Sequence, residues 1–183
     1  MNVRKATMRD VPALLEMINS YAAKGIMLPR TEFEMAENIR DFLVAVNGSG
    51  IAGCGALHFY TPVAGEIRSV AVLPELKGSG IGSFLVTSLE AEARECELEM
   101  LFTFTYVPGF FNKVGFLEVD RSELPLKAWK DCMRCPKFQC CDEIAMVKYL
   151  EESDVALDAV RREIAAARSD PDSFLIQLPV LKS

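Results

Sequence analysis

The stretch from Gly65 to Leu89 constrains the fold most, because it changes from a strand to a glycine loop to a helix. An apolar, β-branched run from Ile67 to Leu73 ends at Pro74 and predicts the strand. The loop runs from Lys77 to Gly82, and the helix after it carries on one face Phe84, Leu85, Ser88 and Leu89. Glycines let a ligand approach the backbone, and the unpaired N–H groups of a first helical turn attract anions. The stretch therefore predicts a site for a phosphate or pyrophosphate.

The order of residues in this loop excludes two common phosphate-binding motifs. A kinase-type P-loop needs a lysine after its glycines, whereas Lys77 precedes them. The dinucleotide fingerprint needs Gly-x-Gly-x-x-Gly with an acidic residue on a later strand, and the loop does not have this spacing. A glycine-rich turn that joins a core strand to a core helix, without any ligand, is the remaining alternative.

The charge balance argues against a polyanionic partner. The chain has 183 residues, enough for one core, and its 20 Lys and Arg against 26 Asp and Glu give a net charge of −6. An acidic chain is a poor ligand for nucleic acid or an anionic membrane. No apolar run reaches the length of a membrane span, and the N-terminus does not resemble a signal peptide. We therefore expect a cytoplasmic protein with neither nucleic acid nor membrane as its partner.

The cysteines and the one histidine offer a weaker functional signal. Cys54 and Cys96 lie in apolar contexts and are predicted to be small core residues. Four others form a cluster that suits zinc, another thiophilic metal, a redox pair or a reduced loop: Cys132, Cys135, Cys140 and Cys141. Because two of them are adjacent and no histidine is near, we predict no metal site. His58 lies within a strand and is expected to be a hydrogen-bonded structural residue.

Hydrophobic periodicity predicts one mixed α/β domain over residues 1–150. A short strand from Val3 to Ala6 is followed by a helix from Asp10 to about Lys24 and by a second helix that begins at the capping box of Thr31 and Glu34 and ends near Arg40 or Asp41. The later strands are predicted at 42–46, 51–60, 67–73, 100–107, 116–119 and 143–150, and the later helices after Gly82 and at 110–114. Residues 151–183 are predicted to form a C-terminal extension, with a helix over 151–168 and an apolar tail that suits an edge strand or a homodimer contact.

The loop resembles the acetyl-CoA loop of the GNAT acetyltransferase superfamily, Gln/Arg-x-x-Gly-x-Gly/Ala, with Lys77 as a departure in the first position. The order β-α-α-β-β-β-α-β-α-β-β over residues 1–150 is similar to the GNAT fold. The resemblance implies acetyl-CoA as co-substrate, with backbone groups of Val70 and Val72 on the pantetheine arm. It assigns the pyrophosphate to the loop and the first helical turn: Lys77, Gly78, Ser79, Gly80, Ile81, Gly82 and Ser83.

The resemblance also suggests where catalysis occurs. An amine must be neutral to attack a thioester, so a base is needed, and a departing thiolate benefits from an acid. Glu66, at the start of the central strand, stands where several GNAT enzymes carry a glutamate base. The alternative is a structural pair with Arg68, two residues on and therefore on the same face. Phe111 occupies the place of the usual tyrosine acid, so we predict Tyr106 as the donor, with solvent as the alternative.

Further segments resemble the short, kinase-less N-acetylglutamate synthases of bacterial arginine biosynthesis. They include residues 27–30, 38–42, 53–58, 66–72, 103–116 and 126–138. This resemblance implies L-glutamate as the acceptor, and Arg30 and Arg68 can each form bidentate pairs with its carboxylates. The alternative to this substrate-binding role is that one or both are surface arginines. Other amino acids, polyamines or protein N-termini are alternative acceptors, and a non-catalytic acyl-CoA sensor is an alternative of another class.

Overall fold

The computed structural model describes residues 1–48, 50–124, 137 and 140–150. The strands are β1 (Asn2–Lys5), β2 (Phe42–Asn47), β3 (Gly50–Phe59), β4 (Ala64–Val72), β5 (Met100–Thr105), β6 (Leu117–Glu118) and β7 (Ile144–Tyr149). The α-helices are α1 (Val11–Ala22), α2 (Glu32–Glu37), α3 (Ile81–Glu95) and α4 (Pro108–Lys113). This order confirms the predicted mixed α/β fold, whereas the predicted helix over 151–168 and the tail lie outside the described residues.

The seven strands form one mixed sheet in the order β1-β2-β3-β4-β5-β7-β6. Every neighbouring pair is antiparallel except β4 and β5, which are parallel. A parallel pair needs a crossover, and α3 supplies it. The glycine loop therefore lies at the carboxyl end of β4, where α3 begins.

Helices cover both faces of the sheet. On one face, α1 and α2 bury Leu14, Ile18 and Met35 against the strand residues Val44 and Cys54. On the other face, α3 and α4 pack with the sheet through buried residues that include Leu85, Leu89, Leu101, Phe111 and Phe116. Burying each large apolar side chain stabilises the fold by about 1.5 to 3 kcal/mol. Among the described residues, none of the helices has the length and apolar character needed to cross a bilayer.

The two central strands separate after a short paired segment. β4 pairs with β5 only from Ala64 opposite Met100 to Glu66 opposite Phe102. Beyond this point β4 carries an irregularity in its pairing with β3, and Ser69 adopts a positive φ of 54° there. An extra residue in one strand bends it and increases its local twist. The bend accompanies the gap that opens between β4 and β5 after Glu66.

Three sequence expectations are wrong in detail. The second helix ends at Glu37, because the backbone of Asn38 leaves the helical range (φ −106°, ψ 14°) and the chain continues as a 3-10 turn. Cys96 is exposed at the end of α3 instead of lying in the core. Phe84, expected on one face of the helix with Leu85 and Leu89, is 44% exposed. The buried stripe of α3 instead follows Ile81, Leu85, Leu89 and Ala93.

Candidate active site

Two glycines of the loop have backbone conformations that other residues rarely adopt. Gly78 and Gly80 have φ angles of 82° and 86°, and Gly80 is the N-cap of α3. A Cβ atom at either position would have nothing within 4 Å, so conformation and not crowding favours glycine here. The N–H groups of the first residues of α3 have no partner within the helix. The loop thus presents backbone donors and the positive end of the helix dipole.

A cavity of about 910 Å³ opens between the separated strands and includes this loop. Twelve of the thirteen predicted site residues line its wall: Arg30, Glu66, Arg68, Val70, Val72, Lys77, Gly78, Gly80, Ile81, Gly82, Ser83 and Tyr106. Tyr106 lines the same cavity from the end of β5. Ser79 is not part of the wall. Its N–H and its hydroxyl both donate to the Leu76 carbonyl, over 3.3 and 2.6 Å.

This wall suits the pyrophosphate and pantetheine of acetyl-CoA. The donors at the start of α3 match an anion, while Lys77 and Lys113 add positive charge to the lining. The ring of Phe110 lies 3.3 Å from the position that a Cβ on Gly82 would take, so glycine allows α3 and α4 to approach each other closely. The side chains of Val70 and Val72 pack on the apolar core beside the cavity.

Tyr21 connects helix α1 to the central strand at the cavity wall. Its hydroxyl donates to the Val72 carbonyl over 2.5 Å. The Nζ atom of Lys77 lies 4.8 Å from the centre of the Tyr21 ring, within the range of a cation–π contact. Tyr21 therefore fixes both the end of β4 and the first residue of the loop.

Glu66 lies in a buried group of polar side chains. It is 8% exposed, and its Oε2 atom accepts a hydrogen bond of 3.1 Å from the Tyr60 hydroxyl. Arg68 Nη1 lies 3.9 Å from the same oxygen, as the spacing of two residues on a strand predicts. Arg68 Nη2 also donates to Asp41 Oδ2 over 3.4 Å. The carboxylate is thus held by a hydroxyl and a guanidinium at the edge of the cavity.

Asp41 links this group to the one histidine of the chain. His58 Nδ1 and Asp41 Oδ2 are 2.6 Å apart, as a hydrogen-bonded structural histidine requires. Asp41 itself was not singled out in the sequence, and neither was Tyr60. The alternation of strands β3 and β4 could have indicated Tyr60, because it follows His58 by two residues and His58 faces Glu66.

Tyr106 remains protonated at neutral pH. Burial, followed by a hydrogen bond with Asp142, raises the pKa of its phenol, against the opposing effect of Lys137. Lys137 Nζ lies 3.4 Å from the phenolic oxygen. Glu143 lines the same region, and burial raises the pKa of its carboxyl. A protonated phenol in the cavity wall can donate a proton or a hydrogen bond.

Arg30 enters the cavity wall from the segment between α1 and α2. Its backbone N–H donates to Asn19 Oδ1, and its carbonyl accepts from Asn19 Nδ2, each over 2.9 Å. These two bonds fix the segment against α1. Arg30 and Arg68 therefore lie in the wall of one cavity although they are 38 positions apart in the sequence.

The remaining functional expectations concern Phe111 and the cysteines. Phe111 is 4% exposed and packs against Phe116 with a centroid distance of 5.3 Å, so it serves the core. Cys54 is buried, which raises the pKa of its thiol to about 12. Arg121 Nη2 lies 2.7 Å from Cys141 Sγ, and Cys141 lines the cavity. Cys132 and Cys135 lie outside the described residues.

Sequence comparison finds acetyltransferases. A model of the acetyltransferase (GNAT) domain matches residues 38–118. An uncharacterized N-acetyltransferase of Chlorobaculum tepidum is 44% identical over 148 residues, which cover 81% of this chain and 96% of the relative. An amino-acid acetyltransferase of Mycobacterium tuberculosis is 35% identical over 135 residues, which cover 72% of this chain and 77% of the relative.

Structural comparison agrees with this result. The crystal structure of N-acetylglutamate synthase from Neisseria gonorrhoeae, complexed with coenzyme A and N-acetyl-glutamate, superposes with a TM-score of 0.76 at 25% identity. The match covers 82% of this chain and 35% of that protein, so this chain spans about a third of its length. The loop, the separated strands and these relatives together show that the chain belongs to the GNAT family of N-acetyltransferases, enzymes that use acetyl-CoA as co-substrate.

Proposed function

We propose that this enzyme acetylates the α-amine of L-glutamate by direct transfer from acetyl-CoA in a ternary complex. The observation that carries the proposal is that Glu66, Arg30 and Arg68 share one cavity with the glycine loop. A base, two cations and an anion cradle in one cavity suit an acceptor with an amine and two carboxylates. The names of the Mycobacterium relative and of the Neisseria synthase support an amino-acid acceptor.

The loop would bind the nucleotide end of acetyl-CoA. The N–H groups from Gly80 to Ser83 are the proposed donors to the pyrophosphate, and Lys77 adds charge. Ser79 contributes through the turn that it stabilises, because its own N–H already donates to Leu76. Backbone groups of Val70 and Val72 would bind the pantetheine arm where β4 has left β5.

Glu66 is the proposed base and Tyr106 the proposed acid. Acetyl-CoA supplies an activated acetyl group as a thioester. The amine nitrogen forms a bond to the acetyl carbon, and the bond from that carbon to sulfur breaks. Glu66 takes a proton from the amine, directly or through a water, and Tyr106 gives its phenolic proton to the departing thiolate.

Arg30 and Arg68 are the proposed partners of the two carboxylates of glutamate. Guanidinium groups form bidentate, charge-assisted pairs with carboxylates, which fix orientation as well as affinity. Arg68 also contacts Asp41 and Glu66, so its positive charge is partly compensated within the protein. Loss of Arg68 is therefore expected to affect Glu66 as well as glutamate affinity.

This function would place the enzyme at the first step of arginine biosynthesis, in the cytoplasm, and a homodimer remains part of the proposal. The reaction is tested by measuring CoA release from acetyl-CoA with L-glutamate, beside glutamine, aspartate, lysine, spermidine and a blank without amine. We expect the highest kcat/KM with glutamate. Preference for another amine would refute the substrate, and acetyl-CoA binding without turnover on any amine would favour a non-catalytic sensor.

A further inference from the structure

A tyrosine outside the cavity wall holds the carboxylate of Glu66. The Tyr60 hydroxyl donates to Glu66 Oε2 over 3.1 Å, and the two residues are only 7% and 8% exposed. Tyr60 follows β3 directly, while Glu66 lies on β4 opposite His58, so the bond crosses the turn between these strands. We propose that Tyr60 is a positioning residue for acetyl transfer, which keeps the Glu66 carboxylate ionised and oriented at the cavity edge.

The inference rests on the proposed role of Glu66 as the base. A base must be ionised before it can accept a proton, whereas burial favours the protonated form of a carboxyl group. A hydroxyl that donates to the carboxylate opposes this effect, because it stabilises the anion. Tyr60 thus counteracts the burial that makes the site suitable for a neutral amine.

The ring of Tyr60 fixes the direction of its hydroxyl. It lies edge-on to His58 with a centroid distance of 5.0 Å and is tilted against Phe102 at 5.4 Å. The Tyr60 N–H donates to the Ala64 carbonyl over 3.0 Å, which closes the turn between β3 and β4. A donor held from three sides loses little freedom when it binds the carboxylate, so it is preorganised.

Other charged groups near Glu66 act from different directions. Arg68, on the same strand, has its Nη1 atom 3.9 Å from Oε2, and it also contacts Asp41, which pairs with His58. On β5 the register partner of Glu66 is the apolar Phe102. The other ionisable side chains that line the cavity are Tyr21, Arg30, Lys77, Tyr106, Lys113, Lys137, Cys141 and Glu143. The hydroxyl of Tyr60 is nearer to Oε2 of Glu66 than the guanidinium of Arg68 is. Removal of this hydroxyl is therefore expected to change the pKa of Glu66.

The contact is tested by replacing the hydroxyl and keeping the ring. The pKa of Glu66 is measured by carbon-13 NMR of its side-chain carboxyl, assigned with Glu66→Gln, in the wild type and in Tyr60→Phe. We expect the pKa to rise by about one unit or more in Tyr60→Phe. Tyr149→Phe is the matched control, since Tyr149 packs on the same apolar cluster, and it should leave the value unchanged. An unchanged Glu66 pKa in Tyr60→Phe would overturn the proposal.

The pH dependence of kcat/KM tests the catalytic consequence. In Tyr60→Phe, the acidic limb of the kcat/KM profile should move to higher pH by the same amount as the pKa of the Glu66 carboxyl. The KM for acetyl-CoA should stay unchanged. A raised pKa of Glu66 without a shift of the acidic limb of the kcat/KM profile would refute the positioning role of Tyr60. If the wild type does not acetylate glutamate, the proposed function fails, but the same profile with the amine that it accepts still decides the role of Tyr60. Fluorotyrosine at position 60, a stronger donor of nearly the same shape, should lower the pKa and so checks the result independently of Tyr60→Phe.

Discussion

Arg68 Nη1 lies 3.9 Å from Glu66 Oε2, so the proposed base and one of the proposed carboxylate-binding residues share a face of the central strand. The interaction explains how a buried carboxylate is compensated, and it distinguishes Arg68 from Arg30. Arg68 acts on Glu66 as well as on any ligand, whereas Arg30 reaches the cavity from another part of the chain. Substitutions at the three positions are therefore expected to have different kinetic effects.

Glu66→Gln should lower kcat by about 100-fold or more, because the amide cannot take a proton from the amine. Acetyl-CoA binding should be largely kept, since the loop lies at the other end of β4. Steady-state kinetics and calorimetric titration of acetyl-CoA provide the two measurements. Glu75→Gln changes an exposed carboxylate in the 3-10 turn before the loop and serves as a control. A Glu66→Gln enzyme with unchanged kcat would show that the base lies elsewhere.

Arg30→Ala should raise the KM for glutamate by about 10-fold to 100-fold with a smaller effect on kcat, because a charge-assisted pair with the substrate is lost. Arg68→Ala is expected to lower kcat as well, since it also removes a contact of Glu66. The full dependence of rate on glutamate concentration separates the two effects. Arg9→Ala, an exposed arginine in the 3-10 turn before α1, is the control. Equal KM values for Arg30→Ala and Arg9→Ala would remove Arg30 from the substrate site.

Gly80→Ala should weaken acetyl-CoA binding by about 10-fold, because alanine is strained at a φ of 86° and the loop shifts to relieve this strain. Gly50→Ala is a matched control, with a φ of 126° in the hairpin between β2 and β3, remote from the cavity wall. Both variants should lose stability, measured by thermal unfolding. Only Gly80→Ala should change the Kd for acetyl-CoA, and an equal loss in the two variants would argue against the loop as the binding site.

The sequence predicted the order of elements and the loop because both depend on local patterns. Periodicity and turn residues indicate where strands and helices lie, and the spacing of two residues placed Glu66 and Arg68 on one face. The contact between Tyr60 and Glu66 depends on the register of two strands, which local patterns do not fix. The exposure of Phe84 and Cys96 depends on the rotation of α3 against the sheet, which is set by the positions of Ile81 and Leu85. The cavity depends on a bend at Ser69, which the conformational preferences of the residues there do not predict.

Tyr106→Phe should lower kcat by about 10-fold and leave the KM for glutamate nearly unchanged, because it removes the proposed proton donor. Burial raises the pKa of Tyr106, so the phenol carries its proton throughout the neutral range and loses it only as the pH rises through the raised value. The contribution of Tyr106 to kcat should therefore be constant near pH 7 and disappear at alkaline pH. Wild-type kcat in Tyr106→Phe would indicate that the thiolate takes its proton from solvent.

Asp10→Asn should lower the free energy of unfolding by about 1 to 2 kcal/mol at pH 7. Arg4 donates two bonds to the Asp10 carboxylate, over 2.7 and 2.9 Å, and these hold the pKa of this carboxyl well below its usual range. Because the folded-state pKa is the lower one, this stabilisation is present above the unfolded-state value of about 4 and is lost as the pH falls further. Denaturant unfolding of both proteins between pH 7 and pH 3 should show the difference shrink. A difference that is independent of pH would contradict an ionic contribution.

The most direct test of the proposed reaction is the transfer of a labelled acetyl group to L-glutamate. The enzyme is incubated with acetyl-CoA carrying carbon-13 in the acetyl group, and the products are followed by NMR and mass spectrometry. We expect N-acetylglutamate that carries the label in the acetyl group on its α-nitrogen, formed in equal amount to free CoA and abolished by Glu66→Gln. Retention of the label on CoA in the presence of glutamate, or its transfer to another amine in preference to glutamate, would contradict glutamate acetylation by this enzyme.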